Sequence, residues 1–240
     1  MRTDPRQPEA ASTAMHAAMA AETTCISCHK GIVHHLPELT PVALVSRGTS
    51  TEPRIVIGSV AYTAATVPLF LGADEAAKGG AGEGSLLPAS QVEVIARSGA
   101  VAEVKITGWQ QQGVERAVYA LLGQRILTAV LTPAAIARLQ MGAARTDAAT
   151  GLVWHTVTLS AWVSSGTLMN DQAQLWSDAA RVYASSCGTC HTPPSPAAYT
   201  ANQWPGTAGA MQPRTALTGD QYRLVVKYLQ FHAKDAMHAK

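Results

Sequence analysis

The residues most able to do chemistry are four cysteines, which form two pairs of one design: Cys25-Ile26-Ser27-Cys28-His29 near the start and Cys187-Gly188-Thr189-Cys190-His191 near the end. Cys-x-x-Cys-His is the attachment signature of c-type haem. Two thiols about one helical turn apart can each add to a vinyl group on the same porphyrin edge, and the histidine that follows presents a ring nitrogen to the iron. A four-sulfur zinc site is the first rival, but ribbon-type pairs usually lie about 15–20 residues apart and need no histidine after each pair. A thioredoxin-like redox pair needs one motif in a βαβ setting, and disulfides within such close pairs would staple nothing large. The expectation is two covalent haem c groups, attached through Cys25, Cys28, Cys187 and Cys190, with His29 and His191 as proximal ligands.

An iron that only passes electrons usually takes a second axial ligand. For the second haem the candidates are Met211, His232 and His238, with Met211 favoured because it falls between two predicted helices, where a thioether can swing over the porphyrin and raise its potential. For the first haem they are His16, His34 and His35. His34 follows His29 so closely that it starts on the same side of the haem plane, which suits it better to a neighbouring haem. His155, set among apolar strand residues, reads as a structural histidine.

The elements that must position these groups differ along the chain. Residues 10–22 have the composition of a helix carrying Met15, His16 and Met19. Segment 1–50 is too poor in large apolar residues to bury a haem alone. Segment 51–165 reads as a β-rich, SH3-like domain. Residues 54–57 form one candidate strand, and residues 63–67 another that Pro68 ends or pushes to an edge. The Gly- and Ala-rich stretch 74–84 reads as a loop. Residues 91–96 and 101–107 alternate around Ser98-Gly99 as a hairpin, which Gly108-Trp109 would close. Thr132-Pro133 can open a short helix over 133–144. Val153, Val157, Leu159, Ala161 and Val163 share one strand face, and Trp154 and Trp162 the other. Segment 166–240 reads as an α-helical, cytochrome c-like domain. Asn170-Asp171 caps a helix with Leu175, Trp176, Ala179, Val182 and Tyr183 along it, running into Cys187. A Pro-rich loop carries Trp204-Pro205 and Met211. Thr218 and Gln221 make a capping box for a last helix with two apolar stripes. The fold class is therefore multidomain α+β.

Composition narrows the function. A net charge of +2 provides no basic field for nucleic acid. Charged residues are 14% and aromatics 5%, so a core must rest on Val, Leu, Ile and Ala. Residues 1–21 lack the continuous apolar run of a secretory signal. The uncharged stretches 55–73 and 151–170 carry Val, Ile and Thr in strand-like order and do not read as membrane spans. Because haem is attached outside the bacterial cytoplasm, a periplasmic location is expected, with the export signal on a longer precursor.

Asp4-Pro5-Arg6-Gln7, Met15-His16 and the run Thr24 to Pro37 around the first motif resemble the fourth haem region of the NapC/NirT family of membrane-anchored multihaem quinol dehydrogenases. Tyr199-Thr200-Ala201-Asn202-Gln203-Trp204-Pro205-Gly206, with Tyr222-Arg223-Leu224 and Lys227 to Asp235, resemble the extra C-terminal haem domain of the pentahaem cytochromes that serve trimethylamine-N-oxide and dimethyl-sulfoxide reductases. The resemblance implies that the chain corresponds to the C-terminal part of such a cytochrome. An anchored multihaem portion would precede it, and His34 would ligate a haem of that portion. Electrons from quinol would leave through the C-terminal haem to a periplasmic molybdenum-containing reductase. The chain would be an electron carrier rather than an enzyme. A haem-stabilised docking or sensory module is the alternative, because SH3-like domains commonly dock partners.

Overall fold

The computed structural model describes residues 55–189 and 191–236, together with Thr13, His16, Ala17, Ala20 and Ala21. The chain divides into two compact units, Met1–Val42 and Ala43–Lys240. In the first, Thr13, His16, Ala17 and Ala20 are helical and exposed, within the helix expected over 10–22. Cys25, Cys28, His29, His34 and His35 lie outside the described residues.

The second unit is mixed α+β. Strands β1 (Val60–Thr63) and β2 (Val67–Leu69) lead into helix α1 (Ala73–Lys78) and strand β3 (Gly84–Leu86). The hairpin β4 (Gln91–Ser98) and β5 (Val101–Gln111) follows, then β6 (Ala117–Leu121) and β7 (Gln124–Leu131). Helix α2 (Pro133–Ile136) precedes β8 (Gln140–Thr146), β9 (Val153–Ser164) and β10 (Leu168–Met169). Helices α3 (Gln172–Cys187), α4 (Trp204–Met211) and α5 (Gly219–Phe231) complete the unit.

The strands form one curled sheet in the order β10-β1-β4-β5-β6-β7-β3-β2, with β9 pairing β5 and β8. The curl returns on itself: Phe70, just past β2, bridges Trp162 of β9, so β9, β5, β6, β7, β3 and β2 make a circuit. Pro68 lies within β2, whose only paired strand is β3, the edge position that a residue without an N–H tolerates. Inside the curl, Val92, Val94, Val104, Ile106, Val157, Leu159 and Val163 form the main core. Trp154 and Trp162 pack outside it, with Tyr119 and Phe70 respectively. The two faces of β9 thus follow the alternation of its sequence.

Several local expectations are corrected. Residues 55–57 are not a strand; the chain turns at Gly58, whose φ of 85° suits glycine, and Val56 and Ile57 remain exposed. Residues 63–67 do not run as one strand, because the chain bends between β1 and β2. The presumed loop 74–84 holds helix α1. The hairpin is as expected, turning at Gly99 with φ 57°, but Gly108-Trp109 does not close it. A Cβ at Gly108 would meet the Tyr119 carbonyl oxygen at 2.6 Å, so this glycine lets β6 approach while β5 continues. The helix at Thr132-Pro133 ends at Ile136, and residues 140–146 pair with β9 instead.

The helices are tied to the sheet through both packing and polar contacts. Ile126 of β7 joins Val182, Trp204, Val225 and Leu229 in one core, and Ala89 joins Leu175, Ala179 and Leu224 in another. Gln230 donates from Nε2 to the carbonyls of Ala201 (3.0 Å) and Arg125 (3.2 Å). Asn202 donates to the Gly123 carbonyl at 2.9 Å and accepts from the Arg125 N–H at 2.7 Å. The buried amide of Gln230, satisfied in this way, holds α5 to β7 and to the segment before α4, and the exposed Asn202 ties that segment to the β6–β7 turn.

Candidate functional site

Helix α3 starts where its sequence predicts: the Asp171 side chain accepts from the Gln174 N–H at 3.0 Å. Its inner face, Leu175, Ala179, Val182 and Tyr183, is buried, and it ends at Cys187. Helix α5 opens on the full capping box of Thr218 and Gln221. Between the two lies α4, where the sequence reading placed a loop. Pro205 sits in its first turn, where a missing N–H costs nothing. Met211 is therefore the last residue of a helix rather than part of a loop.

These helices line a partly open apolar pocket. Tyr183 and Cys187 come from α3, Trp204, Ala208 and Met211 from α4, and Tyr222, Val225 and Leu229 from α5. Its ionisable groups are held neutral. Burial pushes the Tyr183 phenol up to about 12, with Cys187, Tyr199 and Tyr228 nearby adding to the shift, and its hydroxyl donates to the Pro194 carbonyl at 2.7 Å. Burial also raises the Tyr222 phenol and the half-buried Cys187 thiol. Trp204 anchors the segment after the second motif, donating from Nε1 to the Pro196 carbonyl at 2.8 Å and meeting the Tyr199 ring edge-on at 5.0 Å. Met211 is 41% exposed, a large thioether side chain that the protein leaves incompletely covered.

The structure thus brings Cys187 and Met211 to one pocket. His191 is exposed and does not line it; its Nδ1 lies 3.0 Å from the Thr192 carbonyl, an arrangement that leaves Nε2 without that contact. His232 is not among the lining residues. It ends α5, with Nδ1 2.8 Å from the Tyr228 carbonyl and its ring against Tyr228 and Trp176. His155 is half-buried on β9, in register with Gln110 and Ala144. His16 is exposed. Cys190 and His238 lie outside the described residues. Among the described residues no three His, Cys, Asp or Glu side chains cluster as a metal site would require.

A neutral, apolar pocket with a thiol in its wall and a thioether beside it fits a porphyrin, whose macrocycle is apolar and whose iron accepts sulfur or imidazole. Residues 57–168 match the family described as TorC third cytochrome c domain, and residues 1–39 match the NapC/NirT cytochrome c family, N-terminal region. The chain is thus similar to the NapC/NirT cytochromes over its first residues and to a TorC cytochrome c domain over its β region. It is 33% identical over 232 residues to the cytochrome c-type protein TorC of Escherichia coli K12, covering 96% of this chain and 58% of that protein. It is 31% identical over 218 residues to the cytochrome c-type protein TorY of Haemophilus influenzae, covering 88% of this chain and 56% of that one. The chain therefore spans less than two thirds of these curated relatives. No solved structure matches it. All four cysteines of the chain fall outside residues 57–168, so the matched β region holds no haem-attachment motif.

One residue was missed by sequence reasoning. Lys227 lies midway along α5, is 4% exposed, and donates to Ser90 Oγ at 2.8 Å. The only signal was a lysine between two apolar stripes, a position where a long side chain ordinarily reaches solvent.

Proposed function

We propose that this chain is the electron-exit part of a periplasmic c-type cytochrome, carrying two covalent haems and delivering electrons to a molybdenum-containing reductase of trimethylamine-N-oxide or a related S-oxide. Residues 1–50 are the haem-binding end of the NapC/NirT portion, residues 51–165 an SH3-like spacer, and residues 166–240 a cytochrome c-like domain. An anchored multihaem portion supplies the electrons. The observation that carries this reading is the meeting of Cys187 and Met211 in one neutral apolar pocket. The relatives, named as cytochromes of c type, support it.

When bound, haem c supplies the one-electron couple. The protein's part is to hold and insulate it. Cys187 and Cys190 attach the porphyrin edge, as Cys25 and Cys28 do in the first unit. His191, its Nδ1 3.0 Å from the Thr192 carbonyl, would present Nε2 as the ligating nitrogen, since a hydrogen bond at one ring nitrogen orients an imidazole that binds metal through the other. His29 has the same role at the first motif, where His16 and His34 are the further ligand candidates. Met211, which lines the pocket, would supply a sulfur ligand at the C-terminal site in preference to His232, which does not line it. Trp204, Tyr222, Val225 and Leu229 exclude water, which favours the less charged reduced state.

Two measurements test this. In the matured protein, Met211→Ala converts the C-terminal site from six-coordinate low-spin to a high-spin component, whereas His232→Ala leaves the spectrum unchanged; the reverse pattern assigns the ligand to His232. Reduced protein mixed with purified trimethylamine-N-oxide reductase is reoxidised when the N-oxide is added. Haem that stays reduced under those conditions overturns the electron-exit role.

A further inference from the structure

Another concavity lies where α5 crosses the sheet, and nothing in an electron-carrying role uses it. It is a cleft of about 1210 Å³ of open space, bounded by β1, β4, β5 and β7, the β6 end and the start of α3. Leu121 and Phe231 give it an apolar side, and Gln91, Glu93, Lys105, Thr107, Thr128 and Gln172 a polar one. Lys227 reaches into it from α5, almost wholly buried.

The hydrogen-bond inventory of that lysine is incomplete. An ammonium group has three N–H donors. Among the described residues the one acceptor offered to Lys227 is Ser90 Oγ, whose own hydroxyl donates to the Thr128 carbonyl at 2.8 Å. No carboxylate answers it. Glu93 and Lys105, the other ionisable groups lining the cleft, pair with each other at 3.2 Å and are both substantially exposed. Buried charges are ordinarily paired, because an isolated one is costly to desolvate. The backbone beside the lysine's partner is also held in an uncommon conformation: Ala89, which precedes Ser90 and lines the cleft, has φ 53°.

We propose that this cleft is a binding site for a small organic carboxylate, whose anionic head takes the unanswered N–H donors of Lys227 and whose apolar body lies against Leu121 and Phe231. The cleft is mixed, with a hydrophobic side at Leu121 and Phe231 and one buried cation, Lys227, aimed into it, and a few placed polar groups beside apolar surface are the usual plan of a small-molecule site. An inorganic anion fits it less well, since such an ion would leave the apolar side unused. Burial pushes the Lys227 amine down to about 7, so a carboxylate that arrives restores the ammonium by pairing with it. The site is separate from the haem pocket: Tyr222, Val225 and Leu229 line the pocket, and Lys227 lies about 200° around α5 from Val225.

The test uses the full matured chain and benzoate as the probe, with inorganic phosphate as the comparison. Benzoate binds saturably by calorimetry and shifts the Lys227 Nζ resonance of ¹⁵N-lysine-labelled wild type, while phosphate does neither. Lys227→Met, close in shape and apolar, weakens benzoate binding on the order of tenfold to a hundredfold while the visible spectrum is unchanged. No saturable benzoate binding, or binding that leaves the Lys227 resonance where it was, overturns the proposal. Equal binding of phosphate overturns the organic class. The resonance shift is read in wild type, so the proposal stands or falls even if the variant folds poorly.

Discussion

Helix α5 presents two faces that solve opposite problems. On one, Tyr222, Val225 and Leu229 close an apolar pocket whose ionisable neighbours are all held neutral. On the other, Lys227 lies under the sheet with one hydrogen-bond partner and opens onto a larger, mixed cleft. Within about two turns of helix, the chain builds a dry cradle and a buried amine. Amphipathicity in the ordinary sense would put the second face in water. Here the sheet covers it, so the polar residue must find partners inside the protein. The comparison shows that helix periodicity identifies which residues share a face but not what that face meets.

Truncating the dry face has the largest effect. Leu229 is fully buried in the pocket wall, and Leu229→Ala costs about 2–5 kcal/mol in chemical unfolding. A loss below about 1 kcal/mol would mean that the pocket collapses without penalty.

The wet face responds with the opposite sign. The folded-state amine of Lys227 is lowered from 10.5 to about 7 by burial, so below pH 7 both folded and unfolded chains carry its proton and the cost of burying the charge is fully present. From pH 7 upward the unfolded chain holds the extra proton, and stability rises with pH by at most about 1.4 kcal/mol per unit. Lys227→Met removes that slope and stabilises the protein at pH 6 by a few kcal/mol. Denaturant midpoints of both proteins between pH 6 and 9 check this. An unchanged slope would show that Lys227 stays protonated in the fold.

The cap that sets where α5 begins contributes less. Thr218→Ala removes the acceptor for the Gln221 N–H and costs about 1 kcal/mol, read as a lowered unfolding midpoint. At the rim of the cleft the effect is smallest. The Lys105–Glu93 pair is about half exposed on both sides, so Glu93→Ala changes stability by roughly 0–1 kcal/mol and less still in high salt.

The parts of the fold legible in the sequence are those set by local rules. The hairpin about Gly99, the Asp171 cap and the Thr218–Gln221 box each depend on residues within a few positions of one another. The misreadings have a common origin in distant contacts. Residues 140–146 became a strand because β9 offered an edge to pair with, and Gly108 continued β5 because β6 passes beside it. Met211 moved from an expected loop to the end of α4 because Pro205 starts that helix rather than breaking it. Of the candidate site, Cys187 and Met211 were named from spacing and chemistry, yet nothing in the spacing stated that they share a pocket that His232 does not line.

The sequence by itself determined the chemistry this protein is equipped for, because paired thiols followed by histidine are a covalent pattern readable without coordinates. It also determined the mixed α+β class, since periods of two and of 3.6 residues are properties of the chain. Only the tertiary structure decided that the sheet curls back through Phe70 and Trp162, and that it covers the Lys227 face of α5. The physical reason is that burial is a relation between segments far apart in the chain: Lys227 meets Ser90, 137 residues earlier, only because the sheet packs over that face of α5.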